Sequence, residues 1–364
     1  MIKLSETVVA LQILLVATPA AALQISHVQH DRNHLEQPGE GAVSIRFELD
    51  EAATVALNLY DGRELLVRTI ASDRVLEAGE HTQAWDGKDK AGKPVPPGAY
   101  HYTLVATGAD KQVVTYDLTD LTGGEALKIS NITEDTEKKT ISYLLQKPAR
   151  VNIRVGLQNS GPLLRTVLDW LPRNAGTHTE QWDGMDASGV IKLAAHPKRD
   201  LVVQAFALPE NTLLVGDPQV SERLIKDISW EPHKREAAQD QRRAVMNVSR
   251  QPLETRSEFD IRLVMPEGLK KSKDGLPVIA GRIPVRLDID DSDRKRALER
   301  RFEAAFYVDG ILVFENETGF LPMTWYWDTG GMNPGAHYLT ANIIGYDGNF
   351  GMKTLKVQIR PNGK

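Results

Sequence analysis

The chain has 364 residues, 41% of them hydrophobic and 26% charged, with a formal net charge of −5. This length exceeds one β-sandwich core and predicts several domains, while the composition excludes a chain that is disordered throughout. The weakly acidic balance argues against nucleic acid as a partner, because it offers phosphates no broad attraction. The absence of cysteine excludes disulfides, thiolate metal sites and cysteine nucleophiles.

The N-terminus has the pattern of a secretory signal peptide. Lys3 precedes an apolar run from Val8 to Ala17, and Ala20 and Ala22 form an A-x-A cleavage signal. We predict a signal peptide over 1–22 and an exported protein, in the periplasm or at the cell surface. The alternative is an N-terminal helix buried in the fold. No later stretch reaches the eighteen apolar residues of a membrane span, so no transmembrane segment is expected after cleavage.

Three histidines, His27, His30 and His34, follow the predicted cleavage point. On a helix, their spacings of three and four residues would place them on one face, where they could bind zinc or copper. The alternative, which we favour, is a polar N-terminal segment without metal.

A fifteen-residue passage occurs twice and predicts two copies of one structural module. Residues 78–92 and 175–189 are identical at nine of fifteen positions, at a shift of 97 residues. Upstream, segments that alternate apolar with polar residues predict half-buried strands at 44–49, 55–59, 66–70, 140–145, 151–155 and 163–167. Short strands joined by turn residues predict β-sandwiches. We therefore predict module one over 23–109 and module two over 110–214.

Each copy contains a Trp-Asp-Gly motif, formed by Trp85, Asp86 and Gly87 and by Trp182, Asp183 and Gly184. The indole supplies a large surface for burial, and Asp-Gly allows a sharp turn, because glycine tolerates positive φ. The motif is therefore predicted to be structural. His81 and His178 occupy equivalent positions and are expected to share a packing or hydrogen-bonding role.

The remaining chain predicts a linker and a third module. The charged segment 215–280 is expected to be a linker or an elaborated edge segment, and module three to cover 281–364. Strands are predicted at 285–289 and 304–313, and one or two helical turns between Asp293 and Phe302.

Module three also contains an echo of the repeated motif. Residues 327–346 read WDTGGMNPGAHYLTANIIGY, which follows the order of Trp-Asp-Gly and the strand after it in module one. The third module is thus predicted to be related to the first two, but larger.

Module one carries a family resemblance. Its pattern A-G-x-H-x-x-x-W-D-G-x-D-x-x-G-x-x-V-P-x-G-x-Y-x-Y-x-L resembles the Ig-like module of FlgD, the flagellar hook-capping protein. Module two keeps Trp-Asp-Gly but has Ala195 to Asp200 in place of Pro-Pro-Gly-Ala-Tyr. Module three, from Tyr307 to His337, is similar to a broader bacterial Ig-like type. The resemblance implies an all-β protein of three tandem Ig-like sandwiches, a fold used for spacers, assembly parts and binding units.

An acidic cluster is the best candidate for a metal site. Calcium prefers several carboxylate and carbonyl oxygens, and four aspartates lie close together in the sequence: Asp288, Asp290, Asp291 and Asp293. The alternative is a solvated turn whose charge is balanced by the basic residues that follow, Arg294, Lys295 and Arg296. No other cofactor is expected.

The best ligand-binding candidate is the aromatic group Trp325, Tyr326 and Trp327. On a strand, these side chains point to both faces of the sheet, and one face must belong to the core. The other could stack on a sugar or dock a protein. The alternative is that the rings pack between sheets or against a linker.

No catalytic residues are predicted, because the chain has no G-x-S-x-G, H-E-x-x-H or phosphate-binding glycine loop. The first hypothesis is an exported, non-catalytic structural or interaction protein, a multi-module scaffold with a protein partner in an envelope or extracellular assembly. The second is a module that binds carbohydrate or cell-wall polymer. The third is a flagellar hook-cap-like assembly factor.

Overall fold

The computed structural model describes residues 22–62, 65–72, 74–118, 125–216, 258–346 and 348–361. The predicted signal peptide, except Ala22, and most of the predicted linker lie outside these ranges. Within them, no helix has the length and apolar character needed to cross a membrane. The predicted all-β class and the tandem sandwiches are confirmed.

Module one is a sandwich of two sheets. Its first sheet has the strand order β1-β3-β6, and its second contains β7, β4 and β5, with β8 also pairing with β7. Side chains alternate between core and outer face, so that Val43, Ile45, Phe47 and Leu49 of β3 are all buried. The strands before residue 117 are β1 (Ile25–His30), β2 (His34–Leu35), β3 (Val43–Leu49), β4 (Ala53–Tyr60), β5 (Leu66–Ala71), β6 (Gly79–Trp85), β7 (Gly98–Gly108) and β8 (Val113–Tyr116).

Module one is completed by a strand that comes after module two in the sequence. Strand β16 (Thr212–Val215) lies between β2 and β7, parallel to the former and antiparallel to the latter. The Asn211 amide also donates to the Tyr102 carbonyl (2.7 Å). The predicted end of module two at residue 214 therefore differs from the structure, because these residues supply backbone hydrogen bonds and core side chains to module one.

Module two repeats the two-sheet design. One sheet has the order β10-β11-β14 and the other the order β13-β12-β15-β9. Its core includes Tyr143, Ile153 and Trp182. Its strands are β9 (Ala126–Leu127), β10 (Ser130–Asp135), β11 (Thr140–Leu145), β12 (Ala149–Leu157), β13 (Leu163–Arg173), β14 (Gly176–Gln181) and β15 (Arg199–Ala207).

Module three pairs a three-stranded sheet, β17-β19-β22, with a five-stranded sheet, β18-β24-β23-β20-β21. Two of its strands, at residues 261–264 and 278–279, fall in the segment predicted as a linker or an elaborated edge segment, and both are edge strands of their sheets. They belong to this module because each pairs with one of its strands. The elements are β17 (Ile261–Val264), β18 (Val278–Ile279), β19 (Arg282–Ile289), α1 (Asp291–Arg300), β20 (Phe302–Val308), β21 (Ile311–Asn316), β22 (Met323–Asp328), β23 (Gly335–Gly345) and β24 (Phe350–Ile359).

Modules two and three are joined by polar side chains that bind the neighbouring backbone. The Leu163 N–H donates to the Asn342 side-chain oxygen (2.9 Å), and the Asn342 amide nitrogen donates to the Leu163 carbonyl (2.8 Å). The Thr354 N–H donates to the Ser188 hydroxyl (2.9 Å). The Arg154 guanidinium lies 4.0 Å from the centre of the Phe350 ring. These contacts fix one module against the other, because they use directional hydrogen bonds on both sides.

We expect Asn342→Ala to loosen this joint. The substitution leaves the Leu163 N–H and carbonyl without their partner in a buried setting, which costs about 1–3 kcal/mol. Hydrogen exchange of the Leu163 amide should accelerate accordingly. Ser188→Ala, which removes a single hydrogen bond to Thr354, serves as the control and should have a smaller effect. Unchanged exchange at Leu163 in Asn342→Ala would contradict the role given to this side chain.

Candidate functional site

The two Trp-Asp-Gly motifs have the same geometry. Trp85 is fully buried and its indole N–H donates to the Lys88 carbonyl (2.9 Å). Trp182 is 5% exposed, and its indole N–H donates to the Met185 carbonyl (3.0 Å). Each tryptophan therefore fills a core and closes its own turn, as the repeat predicts.

The aspartate and glycine of the motif form that turn. The Asp86 carboxylate accepts the Lys88 N–H (3.2 Å), and the Asp183 carboxylate accepts the Met185 N–H (3.0 Å). The following glycine has a φ of 73° in the first copy and 78° in the second. A side chain is disfavoured at such a φ, which explains the glycine. These contacts give the motif a structural role in both modules.

His81 and His178 share both of the roles expected of them. The Nε2 atom of each donates to a carbonyl four residues earlier, Glu77 or Asn174, at 2.7 Å. The ring of each also contacts a core aromatic ring, with centroid distances of 5.8 Å to Phe47 and 5.7 Å to Tyr143.

The three N-terminal histidines lie on strands and not on a helix. His27 Nδ1 contacts the Glu48 carboxylate at 2.6 Å, and His34 Nε2 donates to the Gly216 carbonyl at 3.0 Å. His30 Nδ1 lies 3.2 Å from the Tyr102 hydroxyl, and burial lowers the pKa of His30. Each ring thus has its own partner. Among the described residues, no three histidine, aspartate or glutamate side chains come together to hold a metal.

The predicted calcium cluster instead balances arginines and begins a helix. Asp288 lies 2.9 Å from Arg294 and 3.0 Å from Arg286. Asp291 lies 3.1 Å from Arg294, and Asp290 lies 3.7 Å from Arg262. Asp291 and Asp293 are in the first turn of α1, where the helix dipole favours negative charge. Among the described residues, no three of these carboxylates come together to hold a metal.

Asp288 is the most buried of the four aspartates. Burial alone would raise the pKa of Asp288, but hydrogen bonds from the Ile289 N–H and from Arg294 and Arg286 lower it below its ordinary value. Because the pKa is lower in the folded state, the charged form stabilises the fold at neutral pH. That stabilisation is lost as the pH falls through the lowered pKa.

We therefore expect Asp288→Asn to lower the free energy of unfolding by about 1 kcal/mol at pH 7. At low pH, where Asp288 is protonated, the variant and the unsubstituted protein should be equally stable. Calcium at about 1 mM should leave the thermal midpoint of the unsubstituted protein unchanged, since arginines already satisfy the carboxylates. Thermal unfolding at several pH values, with and without EDTA, measures both effects. A midpoint that rises with calcium would instead support the predicted metal site.

The three aromatic residues at 325–327 do not form one surface. Trp327 is 2% exposed and Trp325 is half-buried, with the two rings stacked at 6.1 Å. Tyr326 points to the other face and is 55% exposed, and the Arg282 guanidinium lies 5.1 Å from the centre of its ring. The expected sugar-stacking group is thus reduced to Tyr326, because the alternation of β22 turns both tryptophans towards the core.

The structure shows one surface that the sequence did not indicate. Strand β21 is the edge of the five-stranded sheet, and Ile311, Leu312 and Val313 are 67%, 44% and 45% exposed. An apolar run of this kind is usually typical of a buried strand. These residues are exposed because β21 lies at the edge of its sheet. The residue sequence of a strand does not determine its place in the sheet.

A family model and solved structures were found to be similar to this chain. The family model of the FlgD Ig-like domain matches residues 33–110. Fibronectin(III)-like modules of Clostridium thermocellum CbhA are 11% identical, with 93% of this chain and 94% of that chain covered and a TM-score of 0.21. A tetra-tandem repeat from the extending region of a large adhesion protein is 13% identical, with coverages of 93% and 74% and a TM-score of 0.20. No curated protein matches the chain. TM-scores this low carry no functional information.

Proposed function

We propose that this chain, whose residues 33–110 form an FlgD Ig-like domain, is an exported, non-catalytic scaffold. It would join a larger protein assembly in the bacterial periplasm or at the cell surface. The exposed apolar edge of β21 carries this proposal, because it offers a surface for an extended segment of another protein.

Several other edge strands among the described residues carry charged residues that oppose pairing with a further strand: Arg68 in β5, Glu134 in β10 and Arg262 in β17. The edge strand β8, like the apolar part of β21, carries none. Charged side chains are a common means of protecting sheet edges. The segment Ile311 to Phe314 has no charge and no proline. β21 pairs with β20 on one side, and no described strand pairs with its other side.

β21 is held in place by aromatic packing from behind. The Phe314 ring stacks on Trp325 with a centroid distance of 5.9 Å, and Phe306 lies 5.0 Å from Trp325 and 6.0 Å from Phe314. A rigid edge lowers the entropy lost when a partner strand binds. Trp325, which the sequence suggested as a ligand contact, therefore packs behind β21 and supports it.

The end of this edge is acidic. Glu315 and Glu317 are exposed at the C-terminal end of β21. Glu303 accepts a 2.6 Å hydrogen bond from the Tyr346 hydroxyl, and this bond, with nearby Glu317, raises the pKa of Tyr346. We infer a partner segment that is apolar in its centre and has lysine or arginine at one end, since charge complementarity favours that pairing.

Site-specific cross-linking in intact cells of the source organism tests the proposal. A photoreactive amino acid replaces Leu312, and mass spectrometry identifies what it captures. We expect one recurrent exported protein. The control places the same amino acid at Val113, an apolar residue of β8 that is 60% exposed. Glycan adducts, no protein adduct, or the same proteins at both positions would contradict the proposal.

A further inference from the structure

The hairpin between β20 and β21 places a tight turn at the joint of modules two and three. Val308 pairs with Ile311, so Asp309 and Gly310 are the residues of the turn. Their φ values are 50° and 82°, and positive φ at both central residues is typical of tight hairpins. A Cβ on Gly310 would lie 2.7 Å from the Leu157 side chain of module two. The turn therefore contacts module two and leads directly into the exposed strand β21.

The Asp309 carboxylate fastens this turn to β23. Its Oδ1 atom accepts the Tyr338 N–H (2.9 Å), and its Oδ2 atom lies 2.6 Å from Nδ1 of His337. The Asp309 N–H donates to the Tyr338 carbonyl (2.9 Å). The Tyr338 side chain packs against the core of module two. The same few contacts therefore hold together the turn, β23 and the joint.

The second ring nitrogen of His337 also faces an acceptor. Nε2 lies 2.8 Å from the Asn333 carbonyl, and the side chain is only 14% exposed. A neutral imidazole has a single N–H, so it cannot donate to the carboxylate and to the carbonyl at once. The imidazolium can donate to both. The geometry therefore fits the protonated ring.

Modules one and two contain a similar histidine without the carboxylate. His81 and His178 each follow a glycine of positive φ by two residues, as His337 does. Each also donates from Nε2 to a carbonyl four residues earlier. In the described part of the chain, no carboxylate contacts Nδ1 of either ring. The second acceptor therefore distinguishes the histidine of module three from the other two.

Asp309 is the charged group that acts on the His337 ring. On β24, the uncharged Val357 lies opposite His337. The neighbouring Lys356 is directed to the Tyr338 ring, with its ammonium 5.5 Å from the ring centre. Module two contributes an apolar leucine at the turn. The charge of the histidine is therefore answered by one carboxylate.

The protonation of His337 is linked to the stability of the turn. Burial alone would lower the pKa of His337, but the hydrogen bonds to Asp309 and to the Asn333 carbonyl, with the negative charge of Asp309, raise it above its ordinary value. Because the pKa is higher in the folded state, the protonated ring stabilises the turn at low pH. That stabilisation is lost as the pH rises through the raised pKa.

We propose that Asp309 and His337 form a pH-sensitive latch on the turn between β20 and β21. While the ring is protonated, the turn stays fixed to β23 and against Leu157. When the ring loses its proton, one of its two hydrogen bonds is lost and the turn opens more often. The joint between modules two and three and the first residues of β21 then become less rigid. The latch is a property of the fold and does not depend on the partner proposed for β21.

NMR of the full chain tests the latch, through hydrogen exchange of the Tyr338 amide and titration of the His337 ring. We expect the protection factor of the Tyr338 amide, which is corrected for intrinsic exchange at each pH, to fall about threefold between about pH 5.5 and about pH 9. Asp309→Asn removes the charge but keeps an oxygen that can accept the Tyr338 N–H. It should lower the titration midpoint of His337 and abolish the pH dependence at Tyr338.

The matched control is His178→Gln, which changes a histidine with the same backbone bond but no carboxylate partner. It should leave the pH dependence at Tyr338 unchanged, whereas His337→Gln should abolish it. A constant protection factor, a pH dependence that persists in both Asp309→Asn and His337→Gln, or a His337 midpoint that Asp309→Asn does not lower would overturn the proposal. Cross-linking from Leu312 tests the scaffold function separately, so either can fail alone.

Discussion

Replacing Glu180 with alanine is expected to destabilise module two by about 3–5 kcal/mol. Glu180 forms a two-point ion pair with Arg173 in the interior, with N–O distances of 2.8 and 3.1 Å. The two side chains are only 9% and 3% exposed. Removing the carboxylate leaves the guanidinium charge buried without its partner. The free-energy cost of this unpaired charge is larger than the net stabilisation that the ion pair provides.

Tyr143 adds to this buried network. Its hydroxyl donates to the Glu180 carboxylate at 3.0 Å. Burial raises the pKa of Tyr143, and the negative charge of Glu180 raises it further, so the phenol stays neutral and keeps its proton as a donor. Glu180→Ala therefore also leaves this hydroxyl without its acceptor.

Native-state hydrogen exchange of the amides in β11 and β12 measures the expected loss. Glu134→Ala is the control, because Glu134 also forms a two-point pair with an arginine, Arg199, but at about a fifth of full exposure. In that variant, the free energy of unfolding should fall by less than about 1 kcal/mol. Equal losses in the two variants would show that burial of the Glu180 pair is not what makes it important.

Trp85→Ala should destabilise module one by about 3–5 kcal/mol. The Trp85 side chain is fully buried, and its ring lies 5.3 Å from the Tyr100 ring. The substitution therefore leaves a cavity in the core. It also removes the donor to the Lys88 carbonyl. Because β16 is part of the module-one sheet, the loss should extend to the amides of Thr212–Val215, far away in the sequence.

Chemical denaturation combined with hydrogen exchange tests this expectation. Tyr326→Ala removes a large aromatic ring that is 55% exposed, and it should change stability by less than about 0.5 kcal/mol. If the amides of β16 keep their protection while those of β3 and β6 lose it, β16 does not fold together with module one.

The local features of this protein can be predicted from short stretches of its sequence. Alternation of apolar and polar residues is a property of neighbouring residues, and it correctly located strands such as β3, β4 and β11. The Trp-Asp-Gly motif determined its turn in the same way, because the hydrogen bonds from Trp85 and Asp86 that close the turn reach only to Lys88. The repeat extended this interpretation from module one to module two.

Which surfaces are exposed could not be predicted in this way, because strand order depends on pairing between residues that are distant in the sequence. Alternation assigns side chains to two faces of a sheet but does not say which strand is at the edge, so Ile311 to Val313 resembled a buried strand. Trp325 and Trp327 lie on the same face of β22, and only the packing of the sheets shows that this face is the one towards the core. The return of β16 to module one joins residues more than 100 positions apart, as in the hydrogen bond from Asn211 to Tyr102.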